Sequence, residues 1–131
     1  MSEFILEGQR FNTDDLSEVD LSTTVAYRYT EKEVGRLKRR IGMFSTARNA
    51  YVVRLSALLP EPVDEAQLSE AKVIRVNNRA YPIASLSQDA LNHFSSVKEC
   101  DKHIQRLDVD LAIAETALMG YGQAVKSAVL G

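Results

Sequence analysis

The chain has 131 residues, of which 45% are hydrophobic and 26% are charged, and its formal net charge is −2. This composition is typical of one folded domain, or of two small units that share a core, and the nearly balanced charge argues against a nucleic-acid-binding protein. No apolar run approaches the roughly 18–20 residues that a bilayer-spanning helix needs, and the start MSEFILEGQR lacks the features of a secretory signal. A lone cysteine forms no intrachain disulfide, so we expect a cytosolic or virion setting rather than secretion.

The first predicted element is a β-hairpin. FIL (4–6) and RFN (10–12) flank Glu7–Gly8, and glycine tolerates the positive φ that a tight hairpin turn needs. Ser17 follows as a predicted helix N-cap, because acidic residues occupy the first turn after it.

A long helix is predicted next, from the spacing of its apolar residues. One row of residues is spaced by alternating steps of three and four, which is typical of a coiled-coil seam. The members of this seam are Tyr27, Thr30, Val34, Leu37, Ile41, Phe44, Arg48, Tyr51, Leu55 and Leu58. Thr30-x-x-Glu33 has the form of a second capping box, so a break near residue 29 is one alternative. Pro60 and Pro62 end the helix.

The segment 60–72 is the predicted linker, and the same order of elements follows it. VIRV (73–76) and AYPI (80–83) flank a turn at Asn77–Asn78–Arg79, and Ser87 is the second predicted N-cap. The second seam keeps the steps of three and four residues, and its members are Val97, Cys100, Ile104, Leu107, Leu111, Ala114, Leu118, Tyr121, Val125 and Ala128.

The two halves align without a gap at an offset of 70 residues, which indicates an internal repeat. Leu16–Ser17 aligns with Leu86–Ser87, and Tyr51 aligns with Tyr121. We predict an α+β, mostly α fold of two hairpin-plus-helix repeats, 1–59 and 73–131, that share one core. Because the short linker leads directly into the second hairpin, the two helices are expected to be antiparallel and related by a pseudo-two-fold axis.

Both repeats resemble a family of short phage and bacterial proteins known only as a domain of unknown function. Its members open with strand, Asn-Gly and strand, then Leu-Ser, then a long helix with Thr-Ala-Arg-x-Ala-Tyr. The first repeat keeps TARNAY (46–51), whereas the second has TALMGY (116–121), and the turns are Glu-Gly and Asn-Asn. The resemblance covers nearly the whole chain. It implies a phage-associated or bacterial accessory protein and assigns no activity.

Arg48 is the first candidate functional residue, because its repeat partner is the apolar Leu118. A guanidinium in a seam needs a partner, which an anion in a pocket between the helices would supply together with Asn49. The alternative is that the stem of Arg48 packs while its head reaches water or a neighbouring carboxylate. Tyr51 and Tyr121 are expected to belong to the core, with their hydroxyls at an edge.

A basic cluster is the second candidate. Residues 27–59 contain eight Lys or Arg and two Glu, a balance of +6. The cluster of Arg36, Lys38, Arg39 and Arg40 could bind phosphates. The alternative, more usual beside a coiled coil, is that Lys38, Arg39 and Arg40 face acidic residues such as Asp108 and Asp110.

Enzymatic and metal sites are not indicated. Cys100-x-x-His103 lies on one helix face with His93 nearby, but a fourth ligand is missing and Cys100 occupies a seam position, so a core role is favoured. We find no nucleophile–base pair, phosphate-cradling glycine loop or carboxylate dyad, and we expect no cofactor and no enzyme.

The leading functional hypothesis is a non-enzymatic assembly protein, structural or accessory in a phage virion, that self-associates or joins a larger assembly through its coiled-coil and hairpin surfaces. The alternative is a viral sponge that sequesters an anionic nucleotide signal, with Arg48, Asn49 and the cluster from Arg36 to Arg40 holding its phosphates and a tyrosine stacking on its base.

Overall fold

A computed structural model describes residues 3–6, 8–62 and 72–130, without the side chains of Phe4, Asp15 and Leu130. The described part is mostly helical, with two long helices and two short antiparallel hairpins. Glu7 of the first predicted turn and most of the predicted linker 60–72 lie outside the described residues. None of the helices in the described ranges is long and apolar enough to cross a membrane.

Both predicted hairpins are present. Strand β1 (Glu3–Leu6) pairs with β2 (Gln9–Asn12), and β3 (Val73–Val76) pairs with β4 (Arg79–Pro82). Asn77 and Asn78 form the second turn with φ of 52° and 65°, which is the left-handed region that asparagine tolerates in two-residue hairpin loops. A short 3₁₀ turn, which the sequence analysis did not predict, follows each hairpin at Thr13–Asp15 and Ile83–Ser85.

The two predicted N-caps are confirmed. Helix α1 spans Glu18–Leu58 and α2 spans Gln88–Leu130. The Ser17 hydroxyl accepts a hydrogen bond from the Asp20 amide at 3.2 Å, and Ser87 accepts one from the Ala90 amide at 3.1 Å. Each bond satisfies an amide that lacks a partner in the first helical turn.

The alternative of a break near residue 29 is wrong, because α1 continues through it. Thr30 does not cap a new helix. Its hydroxyl donates to the Ala26 carbonyl at 2.8 Å instead, four residues back in the same helix, and Glu33 accepts from Arg36. Neither side chain is left to form the capping box.

The chain divides into two compact units. The first comprises residues 1–41 and 106–131, and the second comprises 42–105. In the first unit, Leu6 and Val125 form a buried centre against which Phe11, Leu16 and Tyr27 pack.

The second unit has its own core beneath its hairpin. Leu55 of α1 packs with Ile74, Val76, Tyr81 and Ala90. Leu55 is 1% exposed and Ala90 is fully buried. Leu59, Leu86 and Phe94 close the edges of this cluster.

The two predicted seams match the observed burial with two exceptions. Leu58 lies in the last turn of α1 and is 42% exposed. Tyr121 is 38% exposed, so its predicted core position is wrong. Tyr27 lies against the neighbouring Gly122, where a Cβ would come 3.3 Å from the Tyr27 ring, so the tyrosine of α1 rather than that of α2 fills this part of the first unit.

Candidate functional site

Arg48 forms an ion pair with Asp101 inside the second unit. The Arg48 Nε donates to Asp101 Oδ1 at 2.5 Å, and the two side chains are 38% and 34% exposed. The guanidinium is therefore paired with a neighbouring carboxylate, as one of the two alternatives for Arg48 predicted. An anion held by Arg48 would lie beside the Asp101 carboxylate, whose like charge repels it. The next residue, Asn49, is exposed.

The ion pair lies at the edge of a small recess of about 70 Å³. Val52, Leu55 and Val97 form its apolar side, and Arg75 and Lys98 add positive charge at its rim. This volume is well below the roughly 300–1,000 Å³ of typical small-molecule pockets. The recess can accommodate a small inorganic anion but not a nucleotide.

We predict that Arg48→Leu changes the free energy of unfolding by no more than about 1 kcal/mol, because half-exposed ion pairs contribute little and Asp101 keeps access to water. Leu118, which aligns with Arg48 at the offset of 70 residues, is likewise half-buried, which is consistent with this expectation. Urea denaturation of the parent and the variant measures the difference. A loss as large as that of a core Leu→Ala variant would contradict the prediction and make Arg48 a structural ion-pair residue.

Two aromatic–histidine contacts lie on the other side of the same helix pair. Phe44 and His103 are stacked, with ring centroids 4.5 Å apart and planes inclined by 6°, and Tyr51 meets His93 at 6.2 Å. As residue numbers rise along α1 from Phe44 to Tyr51, they fall along α2 from His103 to His93. These contacts, together with Arg48–Asp101, show that the two helices are antiparallel within the second unit.

Tyr51 is half-buried, as predicted for a seam residue. It lines an open cavity of about 300 Å³ with Phe44, Cys100 and His103. Cys100 is a buried free thiol, which agrees with its predicted core position. Among the described residues, no three His, Cys, Asp or Glu side chains come close enough to hold a metal ion.

The basic cluster lies on the exposed surface of α1 in the first unit. Arg36 donates to both carboxylate oxygens of Glu33, from Nε at 3.1 Å and from Nη2 at 2.5 Å. This hydrogen bonding lowers the pKa of Glu33 and raises the pKa of Arg36, to which the charge of Asp110 also contributes. In the described part of the chain, Lys38, Arg39 and Arg40 form no salt bridge with Asp108 or Asp110.

We predict that Arg36→Gln raises the pKa of Glu33 toward its usual value of 4.5. A depressed folded-state pKa means that the Glu33–Arg36 pair stabilises the fold above the unfolded-state pKa, and that this contribution is lost as the pH falls through the folded-state pKa. Carboxyl-detected NMR titration measures the midpoint, with Arg54→Gln as the control for removal of a distant exposed charge. An unchanged Glu33 midpoint in Arg36→Gln would contradict the assignment.

A larger cavity of about 350 Å³ lies in the first unit. Leu6, Tyr27, Leu118 and Gly122 form its floor, and Glu115, Gln123 and Lys126 add polar groups. Four of its lining residues, Leu6, Tyr27, Leu118 and Gly122, lie 70 residues from residues that line the recess beside Arg48. Gly122 and Leu118 stand in the first unit's cavity where Val52 and Arg48 stand in the second unit's recess. The side chains that fill this space are therefore smaller or shorter in the first unit.

The first unit also exposes two helix faces with opposite charge. The basic face of α1 consists of Val25, Tyr29, Lys32, Arg36, Arg39 and Arg40, which are all exposed. The acidic face of α2 consists of Asp108, Glu115 and Met119, which follow one another at steps of seven and four residues and are all exposed as well. The apolar members of the two faces, Val25, Tyr29 and Met119, are 61–71% exposed. The cluster of Arg36, Lys38, Arg39 and Arg40 was predicted from the sequence, but the two exposed rows were not, because the spacing of residues was followed only along the buried seam. Three- and four-residue spacing outside the seam identifies the basic row.

Comparison with known proteins gave no match to any protein-family model, to any curated protein or to any solved structure.

Proposed function

We propose that this chain is a non-enzymatic assembly protein that binds protein partners through the exposed faces of its two long helices. The observation that carries the proposal is the exposure of large apolar side chains in the middle of regular helices. Tyr29, Ile113 and Met119 are 71%, 64% and 70% exposed. Large apolar side chains are enriched where folded proteins bind one another, since burying them against a partner is favourable.

The length of the helices supports the same function. They contain 41 and 43 residues, which corresponds to roughly 60 Å each at 1.5 Å per residue. Each compact unit uses only part of each helix surface for its own core, so long rows of side chains remain for partners. The hairpins add short strands, of four residues each, whose unpaired edges are a second, smaller surface.

We also propose that the two units descend from one repeated element. Leu6 and Val76, and likewise Val125 and Leu55, lie 70 residues apart, and all four are buried. The caps Ser17 and Ser87 are separated by the same offset. A pseudo-two-fold relation between fused copies follows from this proposal, and it suits an assembly protein because repeated surfaces can bind equivalent partners.

The resemblance of TARNAY and its surroundings to short phage proteins gives the proposed setting, which is a phage virion or the infected bacterial host. Light scattering over a range of concentrations tests the assembly function, together with mass spectrometry of particles purified from an infected culture. We expect a mass above that of the 14.6 kDa chain, or the chain among the particle proteins. A strict monomer that is also absent from the particles would contradict the proposal.

A further inference from the structure

We propose that the partner of the first unit is a second copy of this chain, and that the basic face of one copy binds the acidic face of the other. This inference rests on the proposed function, because it names the partner of the same helix faces. It is carried by the charge and the order of the exposed residues on α1 and α2.

The basic face has the periodicity of a helix contact surface. Val25, Tyr29, Lys32, Arg36 and Arg39 follow one another at steps of four, three, four and three residues, which places them in one row along α1. Residues 34–41 contain four Lys or Arg and no Asp or Glu. The row therefore begins with exposed apolar side chains and continues as positive charge.

The acidic face has the opposite sign and the complementary order. Residues 107–125 contain three Asp or Glu and no Lys or Arg. Asp108 comes first along α2, Glu115 follows it on the same side of the helix, and the exposed apolar Met119 ends the row. When the two faces are laid antiparallel, Tyr29 lies opposite Met119.

The same antiparallel alignment brings the charges together. In this register Lys32 lies opposite Glu115, and Arg39 lies opposite Asp108. A parallel alignment that brought Lys32 to Glu115 would place Arg36 opposite the apolar Met119 and Arg39 opposite Gly122, so the order of the residues favours the antiparallel direction. Charge complementarity of this kind determines partner choice and register in helix pairs.

Most of these charges are left without a salt bridge among the described residues. In the part that the structure describes, Lys32, Arg39, Arg40, Asp108 and Glu115 form no salt bridge. Arg36 is paired with Glu33 and feels the charge of Asp110, so these three residues are left unchanged in the variants below.

Charge reversal with a mixing experiment tests the inference. Lys32→Glu/Arg39→Glu places carboxylates opposite Glu115 and Asp108, and Asp108→Lys/Glu115→Lys places lysines opposite Arg39 and Lys32. Each variant alone then opposes like charges, and we expect self-association at low salt to weaken at least about tenfold. An equimolar mixture is expected to associate again, because each reversed side chain of one variant meets a side chain of opposite charge in the other. Sedimentation velocity measures all three samples.

The matched control is Arg54→Glu/Arg79→Glu, which reverses two exposed arginines of the second unit and is expected to associate as the parent does. Circular dichroism melting shows that each variant is folded. Should a reversed variant unfold, Lys32→Gln/Arg39→Gln and Asp108→Asn/Glu115→Gln replace the reversals, and weaker association of either one is the expected result.

Three outcomes would overturn the inference. In the first, the parent associates but both reversed variants associate equally well; the assembly function then stands and the assigned faces are wrong. In the second, the folded variants are monomeric and their mixture stays monomeric. In the third, the parent is monomeric at every concentration; the proposed function then survives only if the chain is found in purified particles.

Discussion

Leu55→Ala is expected to lower the free energy of unfolding by about 2–5 kcal/mol. Leu55 is 1% exposed and packs against Ile74, Val76, Tyr81 and Ala90. Truncation therefore removes buried apolar contacts and leaves a cavity beneath the second hairpin, where strands and helices cannot close the gap without shifting together. Urea denaturation followed by circular dichroism measures the change.

Val53→Ala is the matched control for Leu55→Ala. It lies two residues away on the same helix but is 70% exposed, so its truncation is expected to change stability by no more than about 0.5 kcal/mol. Equal losses in the two variants would contradict the assignment of Leu55 to the core.

Leu37→Ala is expected to destabilise the first unit by a similar amount, about 2–5 kcal/mol. Leu37 is 3% exposed, and its repeat partner Leu107, 6% exposed, also lies in the first unit. The comparison variant is Val109→Ala, since Val109 is 60% exposed. The measurement is thermal melting of Leu37→Ala, Leu107→Ala and Val109→Ala. If either leucine variant has the same melting temperature as Val109→Ala, the seam is not the core.

The spacing of apolar residues was sufficient to predict most of the helical core. Val34, Leu37, Val97 and Leu107 were placed in seams from steps of three and four residues, and all are buried. The reason is that a long helix with a continuous apolar row must cover that row, whatever the rest of the fold does. The prediction for Tyr121 was wrong because a seam position does not show which side chain fills the space between two helices, and the Tyr27 ring lies beside Gly122, the residue after Tyr121.

Local sequence chemistry predicted the hairpins and the helix starts, and overestimated one capping signal. Ser17, Ser87 and the turn at Asn77–Asn78 were correct because each acts within three or four residues. Thr30-x-x-Glu33 has the same form as a capping box, but a capping box needs a preceding extended residue. Here α1 is already helical from Glu18.

The partner of Arg48 could not be predicted from local patterns. Asp101 is 53 residues away, and only the register of the two helices brings it close. The antiparallel arrangement was predicted, but its register was not, because the seam repeats every few residues and several registers bury it equally well. The Phe44–His103 stack was missed for the same reason.

The central claim is that the exposed helix faces are covered by protein in the assembled state. Oxidation of Met119 tests this claim most directly. Met119 is 70% exposed in the isolated chain, and exposed methionines are oxidised to the sulfoxide much faster than covered ones. The rate with dilute hydrogen peroxide is measured by mass spectrometry in dilute and concentrated protein, with free methionine as the reference. We predict slower oxidation of Met119 in the concentrated sample; the same rate in both samples would contradict the claim.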